Sequence, residues 1–402
     1  MKCGLLGRKL GHSYSPAIHG HFGAYSYELF EKEPEELESF LHNGDFTGLN
    51  VTMPYKQTVI PYLDELTAVA QKLGAVNTIV RKGGKLVGHN TDYFGFFYLL
   101  RQSSLAPSGK KCLVLGSGGA SKTARAVLEE LGAEVMIISR NGDNNYENLE
   151  QHRDAAIIVN TTPVGMYPNT GASPVNLGLF SHLEGVVDVV YNPARTKLLL
   201  DAERLGVPAV GGLAMLVAQA KEASQWFTGR SVPDSEIERV HGILWKQMEN
   251  IVLIGMPGCG KSTIGRLLAQ ATGKTFMDAD EEIVKLAKKS IPDIFARDGE
   301  DHFRQLESQV LSQLGKRSGL VIATGGGCVT RPENYPLLHQ NGTILWLKRE
   351  LGKLPKEGRP LSADLDAMYR VREPMYAAFA DRVMDNNGDP EATLGAIMEE
   401  CL

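Results

Sequence analysis

The chain has 402 residues, 43% of them hydrophobic and 22% charged, with a formal net charge of -5. That length favours two or three domains, each able to bury a core, and the charge argues against broad nucleic-acid affinity, which needs a clustered excess of Lys and Arg. Five cysteines, at 3, 112, 259, 328 and 401, form no CxxC pair, so free thiols in a reducing compartment are expected, with neither a disulfide framework nor a zinc site.

At the start, MKCGLLGRKLGHS, Arg8 and Lys9 interrupt any apolar core of a signal peptide. No stretch reaches the roughly 20 apolar residues of a membrane span. A cytoplasmic protein is expected, acting on small molecules, without nucleic-acid or membrane partners. Short apolar strands alternate with amphipathic helices almost throughout, the pattern of α/β domains built on parallel sheets.

In GHSYSPAIH, Ser13 and Ser15 surround a helix start, with Pro16 at the first helical position, where its missing N–H costs nothing. Ser15 reads equally as an N-cap. His19 and His21 on that helix point apart and make no metal pair. GLNVTMPYK then sets Asn50, Thr52 and Lys56 at the end of an apolar strand, GAVNTIV puts Asn77 inside another, and GHNTD puts Asp92 at a helix start. Singly, Asn77 fits a satisfied buried amide and Asp92 a cap. Together they offer a Lys, an Asp and short hydrogen-bonding groups suited to gripping a polyhydroxylated ring. Lys56 would carry the proton that accompanies hydride transfer to a ketone, with Asp92 orienting it.

From Lys110 a fresh unit begins: KCLVLGSGGASKTARAVLEELGAEVMIISR reads strand, glycine turn, helix, strand. Ala124, Val127, Leu128 and Leu131 recur at helical spacing and face the sheet. Gly116 permits the tight turn, and Gly118 and Gly119 let a pyrophosphate approach backbone N–H groups, although Ser121 replaces the third glycine of the usual fingerprint. The second strand ends in Ser139-Arg140-Asn141 where an NAD site carries an acid, so NADP is favoured. Helices are expected near 195–205 and 212–226, then a turn at TGRSVP and a helix from about 234, capped by Asp234 or Ser235. The boundary falls near 246–249.

Ile251 opens a new strand, followed by GMPGCGKS, which fits G-x4-G-K-[ST] between a strand and a periodic helix from 263 to 271. Backbone N–H groups from Gly258 to Lys261 would wrap phosphates, Lys261 would neutralise β- and γ-oxygens, and Ser262 would bind Mg²⁺. Cys259 reads as a small loop residue. FMDAD ends the next strand, with Asp278 helping to organise Mg²⁺ and Asp280, one alternate residue on, pointing the same way toward a substrate hydroxyl. Arg304 lies on a helix, Gly325-Gly326-Gly327 ends a strand where a ligand or backbone must come close, and Arg372 adds a carboxylate clamp.

SxSP, NVTMPYK, GAVNT, NTD, GSGGAS, NTTPVGM, DVVYNP and GGLAMLVAQA, in this order over residues 1 to about 245, resemble shikimate dehydrogenase. The resemblance implies a two-lobed fold with a Rossmann-like NADP lobe, and NADPH-dependent reduction of 3-dehydroshikimate to shikimate. By it, Ser13, Ser15, Thr52, Lys56, Asn77, Asp92, Tyr191 and Gln219 bind substrate, with Lys56 and Asp92 the catalytic pair. Gly116, Ser117, Gly118, Gly119, Ala120, Ser139, Arg140, Val189 and Gly212 line the cofactor site. The family often reads Asn-Arg-Thr at 139–141, and the segment between His21 and Gly48 is short for it.

DAD, FRQLE, ATGGG, RPL and REPMY after the second glycine turn resemble shikimate kinase over 250–402, implying a P-loop fold with a helical lid and ATP-dependent phosphorylation of the shikimate 3-hydroxyl. By that match Asp280, Arg304, Gly326 and Arg372 bind shikimate, with Lys261 and Asp280 catalytic. Gly258, Cys259, Gly260, Lys261, Ser262, Thr263 and Arg359 bind ATP, and Ser262 and Asp278 hold Mg²⁺ through water. The lid segment between Leu347 and Arg359 is shorter than the family's and lacks one of its arginines.

The expected organisation is a substrate lobe at 1–100 with return of 212–245, an NADP lobe at 101–211, a connecting helix at 228–249 and a kinase domain at 250–402. The expected function is bifunctional, shikimate formation followed by its phosphorylation. The alternatives are a catalytically inactive shikimate- or quinate-sensing protein and a quinate-type NAD-dependent dehydrogenase fused to a small-molecule kinase.

Overall fold

Six short strands form the first sheet: β1 (Lys2–Gly7), β2 (Ser26–Glu31), β3 (Gly48–Val51), β4 (Glu65–Leu66), β5 (Thr78–Lys82) and β6 (Lys85–His89), in spatial order β2-β1-β3-β5-β6-β4. The computed structural model describes residues 1–11, 13–354 and 365–401, in two compact units, Met1–Leu244 and Trp245–Leu402. This sheet is mixed, because β5 runs antiparallel to both β3 and β6. The reason is local. Lys82 pairs with Lys85 across Gly83-Gly84, whose φ values of +59° and +83° make the tight turn that matches strand twist.

The second sheet, β7 (Lys111–Leu115), β8 (Glu134–Ile138), β9 (Ile157–Asn160), β10 (Gly185–Asp188) and β11 (Ala209–Val210), is wholly parallel in the order β11-β10-β9-β7-β8. Successive side chains point to opposite faces, so β7 feeds two cores. Cys112 and Val114 pack with Phe96, Leu99, Val127 and Met215 on one side. Leu113 and Leu115 pack with Ile158, Val186, Leu198 and Leu199 on the other. Helices Asp92–Gln102 and Leu213–Thr228 join the lobes. The second of these gives Met215 to the NADP-lobe core, and Ala223 and Phe227 to a cluster with Cys3 and Val80 of the first sheet. These helices approach closely at Gly95, where a Cβ would lie 2.8 Å from the Met215 carbonyl oxygen.

In the C-terminal unit, β12 (Asn250–Ile254), β13 (Thr275–Asp278), β14 (Leu320–Ala323), β15 (Gly342–Lys348) and β16 (Arg382–Asp385) form a parallel sheet in the order β13-β14-β12-β15-β16. Every residue of β12 and β14 is buried, the mark of a parallel sheet covered on both faces. Helix Ser235–Met248 leads into this sheet. Asp234, read from sequence as a possible cap for it, takes an ion pair from Lys221 at 3.0 Å. No described helix is long and apolar enough to cross a membrane.

Local details at the N-terminus differ from the sequence reading. The first helix is Ser15–His19 with Tyr14 at the N-cap, so Ser15 occupies the first helical position and Pro16 the second. His19 ends this helix fully buried, stacked 4.1 Å from Tyr27 and bonded through Nδ1 to the Tyr25 hydroxyl at 2.7 Å, with Nε2 lacking a partner. Burial pushes its pKa from 6.5 down to about 3. The unfolded chain therefore binds a proton between these values that the folded chain refuses, and stability falls as pH drops below 6.5. We predict that His19→Phe flattens the pH dependence of unfolding free energy between pH 6 and 4 by about 1.4 kcal/mol per pH unit relative to the parent. Urea unfolding of both chains at several pH values measures this, and equal slopes would contradict it.

Candidate active sites

The polar residues that the first lobe scatters along the sequence converge at one end of its sheet. Asn50 lies on β3, and Asn77 stands just before β5, outside the strand the sequence suggested for it. Asn77 Oδ1 accepts from the Thr91 N–H at 2.7 Å and its Nδ2 donates to Thr91 Oγ1 at 3.0 Å, while Asn50 Nδ2 donates to Thr78 Oγ1 at 3.3 Å. The Tyr27 hydroxyl donates to Asn50 Oδ1 at 2.8 Å, and Thr91 Oγ1 reaches Gln219 Oε1 at 3.5 Å. Each of these side chains has a partner within the network, which holds it in place.

Beside it, Lys56 Nζ donates to Asp92 Oδ2 at 2.7 Å, with both side chains still partly open to solvent. Asp92 begins the helix after Thr91, and its N–H is taken by Asn90 Oδ1 at 3.0 Å, so its carboxylate pairs with Lys56 rather than capping. Ser13 Oγ accepts the Ser15 N–H at 3.2 Å, and Tyr14 meets Tyr191 edge-on with ring centroids 6.0 Å apart. Thr52 follows β3 with its N–H held by the Leu6 carbonyl at 2.9 Å. Lys56, Asp92, Asn77 and Gln219 are thus joined directly or through Thr91; Ser13, Ser15 and Tyr191 gather around Tyr14, and Thr52 sits at the end of the strand that bears Asn50. Tyr14, Tyr27 and Thr91 belong to the same constellation and escaped the sequence reading, although Thr91 stands inside the quoted NTD.

The first glycine turn follows β7, where β8 lies on one side and β9 on the other, the switch point at which open α/β sheets bind ligands. Gly116 has φ +109°, and a Cβ there would lie 2.9 Å from Thr161 Oγ1. Gly118 precedes the helix Gly119–Glu130, and a Cβ on Gly118 or Gly119 would meet nothing within 4 Å. Packing does not require those two glycines, so open space above the helix N-terminus fits a pyrophosphate. Ser117 and Ala120 flank them in the turn and at the helix start. At the end of β8, Ser139 is half-buried and Arg140 is exposed, with no carboxylate in ion-pair range among the described residues. That donor set fits a 2′-phosphate.

Gly212 has a different cause: its Cβ position is occupied by the Val189 carbonyl group. The 189–191 loop is itself anchored by Asp188, fully buried, whose carboxylate accepts from the Val190 N–H, Asn160 Nδ2 and Thr196 Oγ1 at 3.0, 3.0 and 2.7 Å. Burial pushes that carboxyl up to about 6.

In the C-terminal unit the glycine turn follows β12, again between strands that diverge to either side. Gly258 and Gly260 have φ +83° and +100°, conformations in which a Cβ is strained, and helix Lys261–Thr272 begins at once. Lys261 is buried and its Nζ folds back on the Gly255 and Met256 carbonyls at 2.9 and 3.1 Å. Cys259 is buried beneath the loop and Thr263 faces solvent. Ser262 Oγ donates to Asp278 Oδ2 at 2.7 Å. A hydroxyl and a carboxylate together suit a hard divalent cation that keeps most of its waters, and the described residues hold no cluster of three or more His, Cys, Asp or Glu that would cage one.

Asp280 departs from the sequence reading. β13 stops at Asp278, which caps the next helix by accepting the Asp280 N–H at 3.0 Å, so strand alternation does not orient Asp280. Its carboxylate still reaches the triple glycine: a Cβ on Gly325 would lie 3.1 Å from Asp280 Oδ1 and 2.6 Å from Glu307 Oε1. Gly326 is pressed against Pro257 and Gly327 against the Arg304 guanidinium, so all three glycines answer to close neighbours. Arg304, nearly fully buried, is held by Glu307 at 2.8 Å and Glu300 at 3.1 Å. Burial pushes the Glu307 carboxyl up, and Arg304 pulls it back. Arg372 donates to the Gly326 carbonyl at 3.2 Å, as does the Tyr376 hydroxyl. Glu307 and Tyr376 were missed, yet Glu307 lies three residues after Arg304 on one helix face, the spacing that lets two side chains meet. Arg359 lies outside the described residues.

Residues 5–79 match the family model described as shikimate dehydrogenase substrate binding domain, and residues 257–402 match that of shikimate kinase. A shikimate dehydrogenase (NADP(+)) from Clostridium perfringens is 37% identical over 261 residues, 59% of this chain and 96% of that protein. The chain belongs to the shikimate dehydrogenase family, and carries a shikimate kinase domain after it. Among solved structures, a chorismate mutase/shikimate 5-dehydrogenase fusion protein from Clostridium acetobutylicum is similar with a TM-score of 0.58 and 35% identity, covering 60% of this chain and 96% of that one. A shikimate 5-dehydrogenase from Thermus thermophilus in complex with NADP(H) and shikimate has a TM-score of 0.55 and 32% identity, covering 60% and 99%.

For the dehydrogenase unit, open space at Gly118 separates ligand need from packing need. Gly118→Val should leave the melting temperature within about 2 °C of the parent, since an unobstructed site away from the core changes stability little. NADPH affinity should fall at least about tenfold, because the side chain fills the phosphate approach. Fluorescence titration with NADPH and a thermal melt check both, and unchanged affinity would remove the turn from the cofactor site.

Proposed function

We propose that the chain is a bifunctional enzyme that reduces 3-dehydroshikimate to shikimate with NADPH and then phosphorylates the shikimate 3-hydroxyl with ATP. Its membership of the dehydrogenase family and its kinase domain support both activities. The observation that carries the first is the Lys56–Asp92 contact at 2.7 Å, set among hydrogen-bonding groups that match a hydroxylated ring.

NADPH, when bound, supplies the hydride. Lys56 Nζ gives its proton to the ketone oxygen as charge develops there, and the Asp92 carboxylate holds the ammonium in line and favours its recharging. Asn77, Thr52, Ser13, Ser15, Tyr191 and Gln219 hold the ring hydroxyls and carboxylate. Arg140, with no acid beside it, selects the 2′-phosphate of NADP over the bare ribose of NAD.

In the kinase domain, MgATP supplies the phosphoryl group when bound. Lys261 exchanges its two loop carbonyls for phosphate oxygens, a substitution of one set of acceptors for another at the same amine. Ser262 and Asp278 would hold Mg²⁺. Arg304 and Arg372 clamp the shikimate carboxylate, and Asp280 accepts the hydroxyl proton. Glu307 acts through Arg304, keeping the guanidinium aimed at the Gly325–Gly327 turn.

Each activity has its own switch. Lys56→Ala should slow ketone reduction about 10²–10⁴-fold while leaving ATP-dependent phosphorylation of shikimate unchanged. Lys261→Ala should do the reverse. Purified full-length protein given 3-dehydroshikimate, NADPH and MgATP, with products followed by mass, reads both steps. Parental ketone reduction by the Lys56 variant, or loss of both activities in either variant, would overturn this assignment.

A further inference from the structure

Arg349 follows β15 directly, and β15 runs parallel to and beside β12, so Arg349 emerges at the same sheet end as the 255–262 loop. The two strand ends touch: a Cβ on Gly255 would lie 2.6 Å from the Leu347 carbonyl oxygen. A Cβ on Gly260 would lie 2.8 Å from Asn386 Nδ2 and 3.8 Å from an Arg349 Nη1. Asn386 in turn donates to the Cys259 carbonyl and accepts from Thr393 Oγ1 at 2.8 Å, which ties the end of β16 to the loop. The guanidinium therefore stands against the loop immediately before Lys261.

Its surroundings leave it without an anion. Arg349 Nε is shielded from solvent and has no hydrogen-bond partner, and the guanidinium makes no ion pair among the described residues. The charged neighbours are matched elsewhere. Lys348 pairs with Glu373 at 3.2 Å, and Glu350 pairs with Lys353 at 3.3 Å. A guanidinium whose Nε is removed from water without an acceptor gains from an anion that reaches it. Arg349 also lines a cavity of about 460 Å³ with Lys348, Glu350, Tyr369, Asp385 and Asn387, whose two carboxylates make no ion pair with it.

We propose that Arg349 binds nucleotide in the kinase domain, donating to the non-transferred phosphates of ATP from the end of β15. This rests on the kinase reading above and adds a cation that the P-loop motif does not contain. The planar fork suits two phosphate oxygens at once, which a lysine at this position would not match.

The test uses the full chain with NADP⁺ saturating, so that ADP cannot occupy the dehydrogenase cofactor site. Calorimetric ADP affinity and the KM for MgATP and for shikimate are measured for the parent, Arg349→Ala and Arg349→Lys. Arg349→Ala should weaken ADP binding about 10- to 100-fold and raise the KM for MgATP to a similar extent, the size of a charge-assisted hydrogen bond. The KM for shikimate should stay within about twofold, and Arg349→Lys should recover part of the loss. Parental ADP affinity in Arg349→Ala would overturn the proposal. So would a rise in both KM values together with a lowered melting temperature in both variants, which marks a structural role. A parent chain that binds no ADP while reducing 3-dehydroshikimate would instead defeat the kinase reading on which the proposal stands.

Discussion

A phosphate group is bound by backbone N–H groups only if nothing stands between them and it. In both units that requirement falls on the turn after the central strand of a parallel sheet, β7 in one and β12 in the other. At Gly118 and Gly119 an added Cβ would meet nothing within 4 Å, and at Gly258 and Gly260 the backbone has positive φ, the conformation of anion-binding loops. Much else in each unit positions side chains around that opening. In each unit the residues that close or follow the neighbouring strands are drawn from different points in the chain: Ser139 and Arg140 follow β8 in the first unit, and Asp278 ends β13, Gly325 comes after β14 and Arg349 follows β15 in the second.

Buried polar groups do the second half of the positioning. Asn50, Asn77, Thr78 and Thr91 are almost wholly removed from water and hydrogen-bond to one another, so none can turn without stranding a partner. That rigidity passes to Asp92, which follows Thr91 directly, and through it to Lys56. The kinase domain uses charge for the same end. Glu307 is buried completely and would be costly as a lone carboxylate, and its pairing with Arg304 fixes the guanidinium beside the triple glycine. Asp188 does likewise for the loop carrying Val189 and Tyr191. In each case a buried group holds a more accessible one in place.

Two chemistries with different needs share the chain. Ketone reduction needs a proton donor whose charge can be recovered, which a solvent-edged Lys–Asp pair provides. Phosphoryl transfer needs concentrated positive charge and a proton acceptor, the roles proposed above for Lys261, Arg304, Arg372 and Asp280.

The alternation of apolar strands with amphipathic helices, both glycine turns, and the motifs bearing Lys56, Asp92, Lys261, Ser262, Arg304 and Arg372 were all legible in the sequence. Each of these signals is local: a period, a missing side chain at a turn, or a fixed spacing. Local signals also misled where one residue decides an outcome. Ser15 and Pro16 each sit one place from their expected helix positions, Asn77 precedes its strand, and Asp280 begins a helix where alternation suggested a strand end. What only the tertiary structure decided is which distant residues meet. The antiparallel pairing of β5 with β3, the Tyr14–Tyr191 contact, the approach of Glu307 to Gly325 and the placement of Arg349 against Gly260 depend on strand order and on close approach between segments far apart in the chain. Sequence spacing carries a local repeat, but the distance between two side chains on different strands is set by how the sheet is assembled.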